Sequence, residues 1–460
     1  MAFLEQISET TYRITVCQGY DSKGKKLRKR KTVKVNKTLT SKQLQKELNR
    51  QMVLFEKEVL SGNYLDGEDI TFAKFTQKWL KDYAEKNLAP STLVSYVQKL
   101  NERILPAIGH IILAKLQPTH LMRFYNNLKE DNIRLDGKYT AKEILLKRLI
   151  PYKVTEIEKI TGITFKTCQR IKLGKSTDFK TAQKFCEVFK LDINKMFSSK
   201  NKKKLSEKTI RNHIGIICSI LSTAVKWNII KDNPAKRIDI KKAPKSKARY
   251  YDDEQIGFLL TALQNEPLIY RTMIYLTLDI GLRKGELMGL MWEDVNFEKS
   301  SININKQRQY VLGKGIIEGT PKTEAGVRIV TASQTVINLL KQCRTQQIEQ
   351  KLKLGTAWQN APYVFLHEDG TAISPNLPNK WFTKLLERHN LPKITFHQLR
   401  HTNASLLISI GEDIVTVSGR LGHADKNITL NTYSHIIKSK EVQVANKMDE
   451  FYAGLKVNCN

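Results

Sequence analysis

The sequence predicts a multidomain, mainly α-helical protein with small β-sheets. A sheet-plus-helix unit spans residues 1–65, a helical domain 66–240 and a mixed α/β domain 250–460. Three observations predict it. At 460 residues the chain exceeds what one core organises, and length alone favours about three domains. Apolar residues recur at helical spacing over most of the chain from Asp69 onward, whereas strict alternation is confined to a few short runs. A basic, Pro-containing stretch, Lys241-Lys242-Ala243-Pro244-Lys245-Ser246-Lys247-Ala248-Arg249, reads as a linker at 241–249.

In the first unit, Tyr12-Arg13-Ile14-Thr15-Val16 and Lys31-Thr32-Val33-Lys34-Val35 alternate like strands, with Asp21 to Lys25 as a hairpin turn. A helix follows, with Ser41 as its cap and Leu44, Leu48, Met52 and Phe55 at helical spacing. Between Lys23 and Lys37 there are nine Lys or Arg and no acid. A solvated hairpin tip would explain some of these charges. Nine like charges repel one another, however, and a polyanionic partner explains them better, with Lys23, Lys25, Lys26, Arg28, Lys29, Arg30 and Lys31 as the contacts.

The second unit reads as four helices. Phe72, Phe75, Trp79 and Tyr83 form one stripe, and Pro90-Ser91-Thr92 opens the next through Leu93, Tyr96, Leu100 and Ile104. Thr119 is expected to cap a third helix from His120 to Lys129, and Ser206 to Trp227 makes the fourth. The stripe positions are core by default.

Residues 132–204 are too long for a structureless connection. Val154 to Thr164 followed by Phe165 to Ile171 resembles the helix-turn-helix of the lambda-repressor class, so an inserted domain is expected here. Ile157, Ile160, Ile163, Ile171, Phe185 and Phe189 would supply its core, and Lys166, Gln169 and Arg170 would face outward toward phosphates and bases. A module for packing or dimerisation is the plainer alternative.

In the third unit, Ser301 to Asn305 and Val327 to Val330 read as strands of a small sheet, and most of the remainder reads as helical. Glu441 to Leu455 is amphipathic. The last sixty residues carry His397-Gln398-Leu399-Arg400, then Leu421-Gly422-His423, then Asn431-Thr432-Tyr433-Ser434-His435. The three-residue step from His397 to Arg400 sets an imidazole and a guanidinium on one helical face. Upstream stand Asp279-Ile280-Gly281-Leu282-Arg283-Lys284-Gly285-Glu286-Leu287 and Thr320-Pro321-Lys322-Thr323-Glu324-Ala325-Gly326.

This ordered set resembles the active-site boxes of the tyrosine recombinases, the lambda-integrase family of DNA strand-transfer enzymes found in phages and transposons. Arg283, Glu286, Lys322, His397, Arg400, His423 and Tyr433 fall in the family's order. The resemblance implies an arm-type DNA-binding domain at 1–65, a core-binding domain at 66–240 interrupted by the insert, and a catalytic domain at 250–460. It also implies double-stranded DNA as partner, at core and arm sites, a tetramer on DNA, and accessory excisionase or DNA-bending proteins. Lys241, Lys242 and Lys245 of the linker would then cross the phosphate backbone.

The chemistry gives each residue type a reason. Attack on a phosphodiester builds negative charge on non-bridging oxygens, which two guanidiniums can hold through forked donors. Arg283 and Arg400 are that clamp, with His423 as a further donor. Tyr433 is the nucleophile; with an ordinary pKa of about 10 it needs a nearby base. His397 is the candidate base, Lys322 the candidate acid for the departing 5′ hydroxyl, and Glu286 orients Arg283. A phosphotyrosine link conserves the energy of the broken bond, so neither cofactor nor metal is expected, and the six cysteines fit no metal-ligand spacing.

The net charge of +32 and pI near 9.7 point to nucleic acid without choosing among its binders. No apolar run is long enough to cross a bilayer, no secretion signal opens the chain, and the scattered cysteines suit a reducing bacterial cytoplasm, where the protein would associate with the nucleoid. Two other functions share parts of this pattern. A non-catalytic DNA-binding regulator leaves the boxes unexplained. A type IB topoisomerase-like nickase shares the chemistry, but the arm unit argues for a sited, multi-protomer complex.

Overall fold

A computed structural model describes residues 2–20, 26–36, 40–60, 70–130, 138–199, 204–241, 249–321, 323–427, 429–430, 432–433, 445–446 and 448–453. The chain divides into two compact units, Met1–Ala243 and Pro244–Asn460.

The first unit opens with three antiparallel strands, Ala2–Ser8, Thr11–Tyr20 and Lys26–Lys34, ordered as in the sequence. Helix Ser41–Leu60 covers one face, where Ile14, Val16, Phe55 and Val59 form a small core. The two expected strands are present, longer than expected and paired antiparallel, while the expected turn at 21–25 lies outside the described residues; Ala2–Ser8 adds an edge strand that the sequence did not signal. Almost all of that strand is exposed, so no apolar alternation marks it; it pairs through backbone hydrogen bonds, with Arg13 Nη1 donating across the pair to Glu5 Oε2 at 3.4 Å. Thr40, rather than Ser41, caps the helix: its carbonyl takes Leu44 N–H and its own N–H reaches Gln43 Oε1 at 3.0 Å.

The helical domain follows. Residues 72–87 form one continuous helix with a wide π turn at Leu80–Ala84, and 90–108 form another with a π turn at Leu100–Ile104. Helices Pro118–Asn127 and Glu207–Lys226 complete the four. Phe72, Phe75, Trp79, Leu100, Ile104, Leu121, Ile217 and Leu221 are among the residues of its core. Trp79 Nε1 donates to Thr223 Oγ1 at 3.0 Å, which satisfies the indole inside that core. The third helix starts earlier than Thr119 predicts. Pro118 takes the first helical position, where its missing N–H costs nothing, and the backbone N–H of Gln117 finds His120 Nδ1 at 3.1 Å.

Residues 138–199 form a separate module with its own core. Strands Tyr139–Ala141 and Phe197–Ser199 pair antiparallel and close it at its two ends. Between them lie helices Glu143–Arg148, Val154–Thr161, Phe165–Lys172, Phe179–Val188 and Ile193–Met196. Gly162 turns the chain between the second and third of these at φ +60. Ile157, Ile163, Ile171 and Phe185 are buried in the core and Phe189 packs partly against it. Ile160 does not join them: it is 48% exposed, because Ile157 and Thr161 occupy the inner face of its helix.

The second unit is built on helices Asp253–Leu263, Leu268–Ile280, Lys284–Gly289, Gln334–Leu354, Leu377–Arg388, Phe396–Ser409 and Ile414–Leu421. Its sheet has Ser301–Ile304 at the centre, between Arg328–Thr331 and Val295–Asn296. Both expected strands are therefore present. A hairpin of Gln307–Val311 with Gly315–Gly319 lies between them in sequence and was not anticipated. Helix Leu268–Ile280 packs against Gln334–Leu354 and Phe396–Ser409, which seats the latter in the main core through Phe396 and Leu399. Of the expected terminal helix, 445–446 and 448–453 are described and helical. No helix among the described residues is long and apolar enough to cross a membrane.

Candidate active site

Arg283, Glu286, His397, Arg400, His423 and Tyr433 come together in the second unit, around the end of helix Ile414–Leu421. Gly422 ends that helix in a left-handed turn at φ +63, leaving its last carbonyls without helical partners. Three guanidiniums supply those partners in succession. Arg328 Nε donates to Arg420 O at 2.6 Å, Arg400 Nη2 to Leu421 O at 2.6 Å and Arg283 Nη2 to Gly422 O at 3.0 Å. A helix C-terminus carries partial negative charge, so it favours the cations crowded onto it.

Each arginine is also tied elsewhere. Arg400, 3% exposed, sits one turn into helix Phe396–Ser409 and donates through Nη1 to Gly281 O at 2.7 Å, the left-handed residue that ends helix Leu268–Ile280. Arg283 stands just before helix Lys284–Gly289. There its backbone N–H and Nη1 take the two oxygens of Glu286 at 3.0 and 2.6 Å. Glu286 also receives Arg328 Nη2 at 3.1 Å. Burial alone would raise the Glu286 carboxyl, but Arg328 and Arg283 hold it below the usual carboxylate range.

The histidines are held uncharged. The protein packed around His397, together with His401, Arg400 and Arg283, pushes it down to about 4, although the residue as a whole is exposed. Burial, with Arg400 and Arg283 beside it, does the same to His423, also to about 4. His423 Nδ1 lies 2.8 Å from Thr429 Oγ1, which fixes its ring. Burial and Arg283 lower Arg400 to about 9, so it stays charged at neutral pH.

Tyr433 is 1% exposed and belongs to a small cluster with Ala404, Ile408, Val417 and Leu421. Its hydroxyl meets His401 Nδ1 at 2.6 Å, while Arg400 acts on the phenol electrostatically. Burial raises the phenol pKa and Arg400 offsets this only in part. The sequence reading placed His397 in the base role; the described contact to the hydroxyl comes from His401, four residues on and on the same helical face. Their rings stand edge to face, with centroids 5.3 Å apart.

Arg328 and His401 were not singled out from the sequence. The signal for His401 was its four-residue spacing from His397. The signal for Arg328 was a charge within an otherwise apolar strand, Val327-Arg328-Ile329-Val330.

Lys322 lies outside the described residues, as do Lys23, Lys25, Lys242 and Lys245. Lys26, Arg28, Lys29, Arg30 and Lys31 lie on the edge strand Lys26–Lys34. Alternation puts Lys26, Arg28 and Arg30, all exposed, on the face away from the helix, while Lys31 lies over the Phe55 ring. Lys241 is exposed. In the inserted module, Lys166 and Gln169 are exposed. Arg170 Nη2 donates to Ser176 O at 2.9 Å, so this guanidinium also ties down the following turn. Among the described residues, no cluster of His, Cys, Asp or Glu could hold a metal ion.

The phage integrase family matches residues 249–440, the N-terminal SAM-like domain of phage integrases matches 71–129 and a phage integrase SAM-like domain matches 120–242. The chain belongs to the phage integrase family. Within that family it is similar to a "Tyrosine recombinase XerC-like" protein of Caldanaerobacter subterraneus subsp. tengcongensis, 26% identical over 96% of each chain. It is 27% identical to the "ICEBs1 integrase" of Bacillus subtilis over 54% of this chain and 66% of that one. The fold matches a structure of the Tn1549 transposon integrase solved with transposon right end DNA, at TM-score 0.56 and 17% identity over 82% of this chain and all of that one. Arg283, Arg400 and Tyr433 of this integrase-family chain all lie within the matched segment 249–440.

Proposed function

We propose that this protein is a site-specific tyrosine recombinase that breaks and rejoins double-stranded DNA through a 3′-phosphotyrosine, integrating or excising a mobile element. The convergence of Arg283, Arg400, His423 and Tyr433 on one helix end carries this reading. In it, the two guanidiniums use their remaining donors to hold the non-bridging oxygens of the scissile phosphate, His423 adds a donor, and Tyr433 attacks. Glu286 and Arg328 fix Arg283, and Lys322 protonates the departing 5′ hydroxyl. The domain roles follow: 1–65 holds arm sites, 66–240 the core site, 250–460 does the chemistry. The protein works in the cytoplasm as a tetramer on DNA, with DNA-bending or excisionase proteins assisting.

The module at 138–199, with Lys166 and Gln169 outward on a helix-turn-helix, is read as a contact to duplex flanking the core site. Replacing residues 132–204 by a short Gly/Ser loop should shrink the footprint on one side while cleavage persists. An unchanged footprint would leave it a protein-contact module.

The principal test is a suicide substrate carrying candidate recombination-site DNA. The wild-type protein should form a covalent adduct mapped to Tyr433, and Tyr433→Phe should bind the DNA and form none. An adduct that persists in Tyr433→Phe removes Tyr433 from the role. Relaxation of supercoiled plasmid without dependence on a site would instead favour the topoisomerase-like reading.

A further inference from the structure

The geometry points to His401 as the residue that accepts the Tyr433 proton when the tyrosine attacks phosphorus, an inference that rests on the recombinase reading above. The deciding observation is the contact of His401 Nδ1 with Tyr433 Oη at 2.6 Å. That is within the 2.6–3.2 Å window, roughly, that a general base needs.

Direction follows from the chemistry of the pair. Burial and Arg400 hold the His401 imidazole below its ordinary pKa, and burial keeps the phenol protonated, so two neutral groups meet. A phenolic O–H is a far better donor than a ring N–H, and an imidazole nitrogen a better acceptor than a phenol oxygen. Tyr433 therefore donates to Nδ1, which leaves the ring proton on Nε2. Among the described residues, the titratable and charged groups acting around His401 are His397 and Arg400 on its own helix, His423 beyond helix Ile414–Leu421, and Tyr433 itself.

Before DNA arrives, burial and then the positive charge of Arg400 make His401 a weak base. A phosphodiester held by Arg283 and Arg400 brings a negative charge, which favours the imidazolium. The base therefore strengthens when substrate is in place. The step balances as follows. Tyr433 Oη forms a bond to phosphorus and its proton passes to His401 Nδ1. The bond from phosphorus to O5′ breaks, its electron pair stays on O5′, and that oxygen takes a proton from Lys322. In the rejoining step a 5′ hydroxyl attacks phosphorus and gives its proton back to Lys322, the bond from phosphorus to Tyr433 Oη breaks, and His401 returns its proton to the leaving tyrosine. His397, whose ring lies edge to face with that of His401, makes no described hydrogen bond to the phenol.

The test is single-turnover cleavage of a suicide core-site substrate by the full-length protein, followed across pH, for wild type, His401→Ala and His401→Gln. Core-site binding and thermal melting are measured alongside. Formation of the wild-type adduct checks the recombinase reading; the variants check His401. Removing a general base costs roughly a hundredfold to ten-thousandfold, so His401→Ala should be slower by that much while still binding DNA. His401→Gln can accept the phenolic hydrogen bond but cannot take the proton, so it should be as slow as Ala. Both variants should gain rate steadily toward alkaline pH, where hydroxide replaces the base, whereas wild type should level off. A near-wild-type rate in His401→Gln would reduce the residue to positioning and overturn the inference. So would an unchanged pH profile in the slow variants. Faster cleavage by His401→Ala would overturn it in the other direction, by showing that the contact restrains the tyrosine.

Discussion

Arg400 and Arg283 donate to neighbouring backbone carbonyls, Leu421 O at 2.6 Å and Gly422 O at 3.0 Å, so one helix end sets the spacing of the two guanidiniums. The spacing of the two side chains is thus inherited from backbone, which does not vary between rotamers. Arg400 adds a second backbone anchor at Gly281 O.

Replacing either arginine with lysine should cripple cleavage, because a point charge cannot hold two phosphate oxygens and a carbonyl together. Loss of one such donor costs about a hundredfold to a thousandfold in rate. The two variants should differ in stability. Arg400→Lys abandons two buried carbonyls and should melt well below wild type, whereas Arg283, more exposed, should cost little. Suicide-substrate rates with parallel melting curves check both; equal melting points would mean that Arg400 does not brace the two helix ends.

The buried carboxylate of Glu286 joins Arg283 to Arg328. Arg328→Ala would leave that charge, 3% exposed, with half its partners. Breaking a buried pair this way costs about 3–5 kcal/mol. Urea unfolding should show that loss, and a double variant with Glu286→Gln should recover part of it. A simple sum of the two single effects would deny the coupling.

Gly422 must remain glycine for two reasons. Its φ of +63 would cost another residue about 1–2 kcal/mol, and a Cβ there would lie 2.6 Å from the carbonyl oxygen of Ala325. Gly422→Ala should therefore lower the melting point and slow cleavage together, since Arg283 hangs from this residue. Unaltered cleavage in a destabilised variant would detach the turn from the clamp.

Acid should unfold the DNA-free protein through His397 and His423. Both sit near 4 in the folded state against an ordinary 6.5. Between those values the unfolded chain takes up protons that the folded one does not. The stabilisation is therefore whole above about pH 6.5 and is lost as pH falls toward about 4. Melting temperatures from pH 7.5 to 4.5 should drop across this window, and less steeply in His397→Gln or His423→Gln. Parallel curves would place the acid sensitivity elsewhere.

The sequence by itself determined the helical stripes of the 66–130 and 206–227 region, the small sheet strands, and the order of the boxes from Arg283 to Tyr433. These are legible because helical and strand periodicities are local, and because the boxes are short and ordered along the chain. It did not reveal strand Ala2–Ser8 or the hairpin from Gln307 to Gly319, whose pairing rests on backbone hydrogen bonds rather than on an apolar pattern. It also put Ile160 inside, since spacing shows that a residue repeats with its neighbours without fixing which edge of the stripe faces the core. Only the tertiary structure decided which histidine touches Tyr433. His397 and His401 share a helical face, and the choice between them depends on where a segment thirty residues away returns. The same holds for Arg328, which joins the site only because its strand and the end of helix Ile414–Leu421 are brought together across 92 residues, to leave a carbonyl that a guanidinium must satisfy.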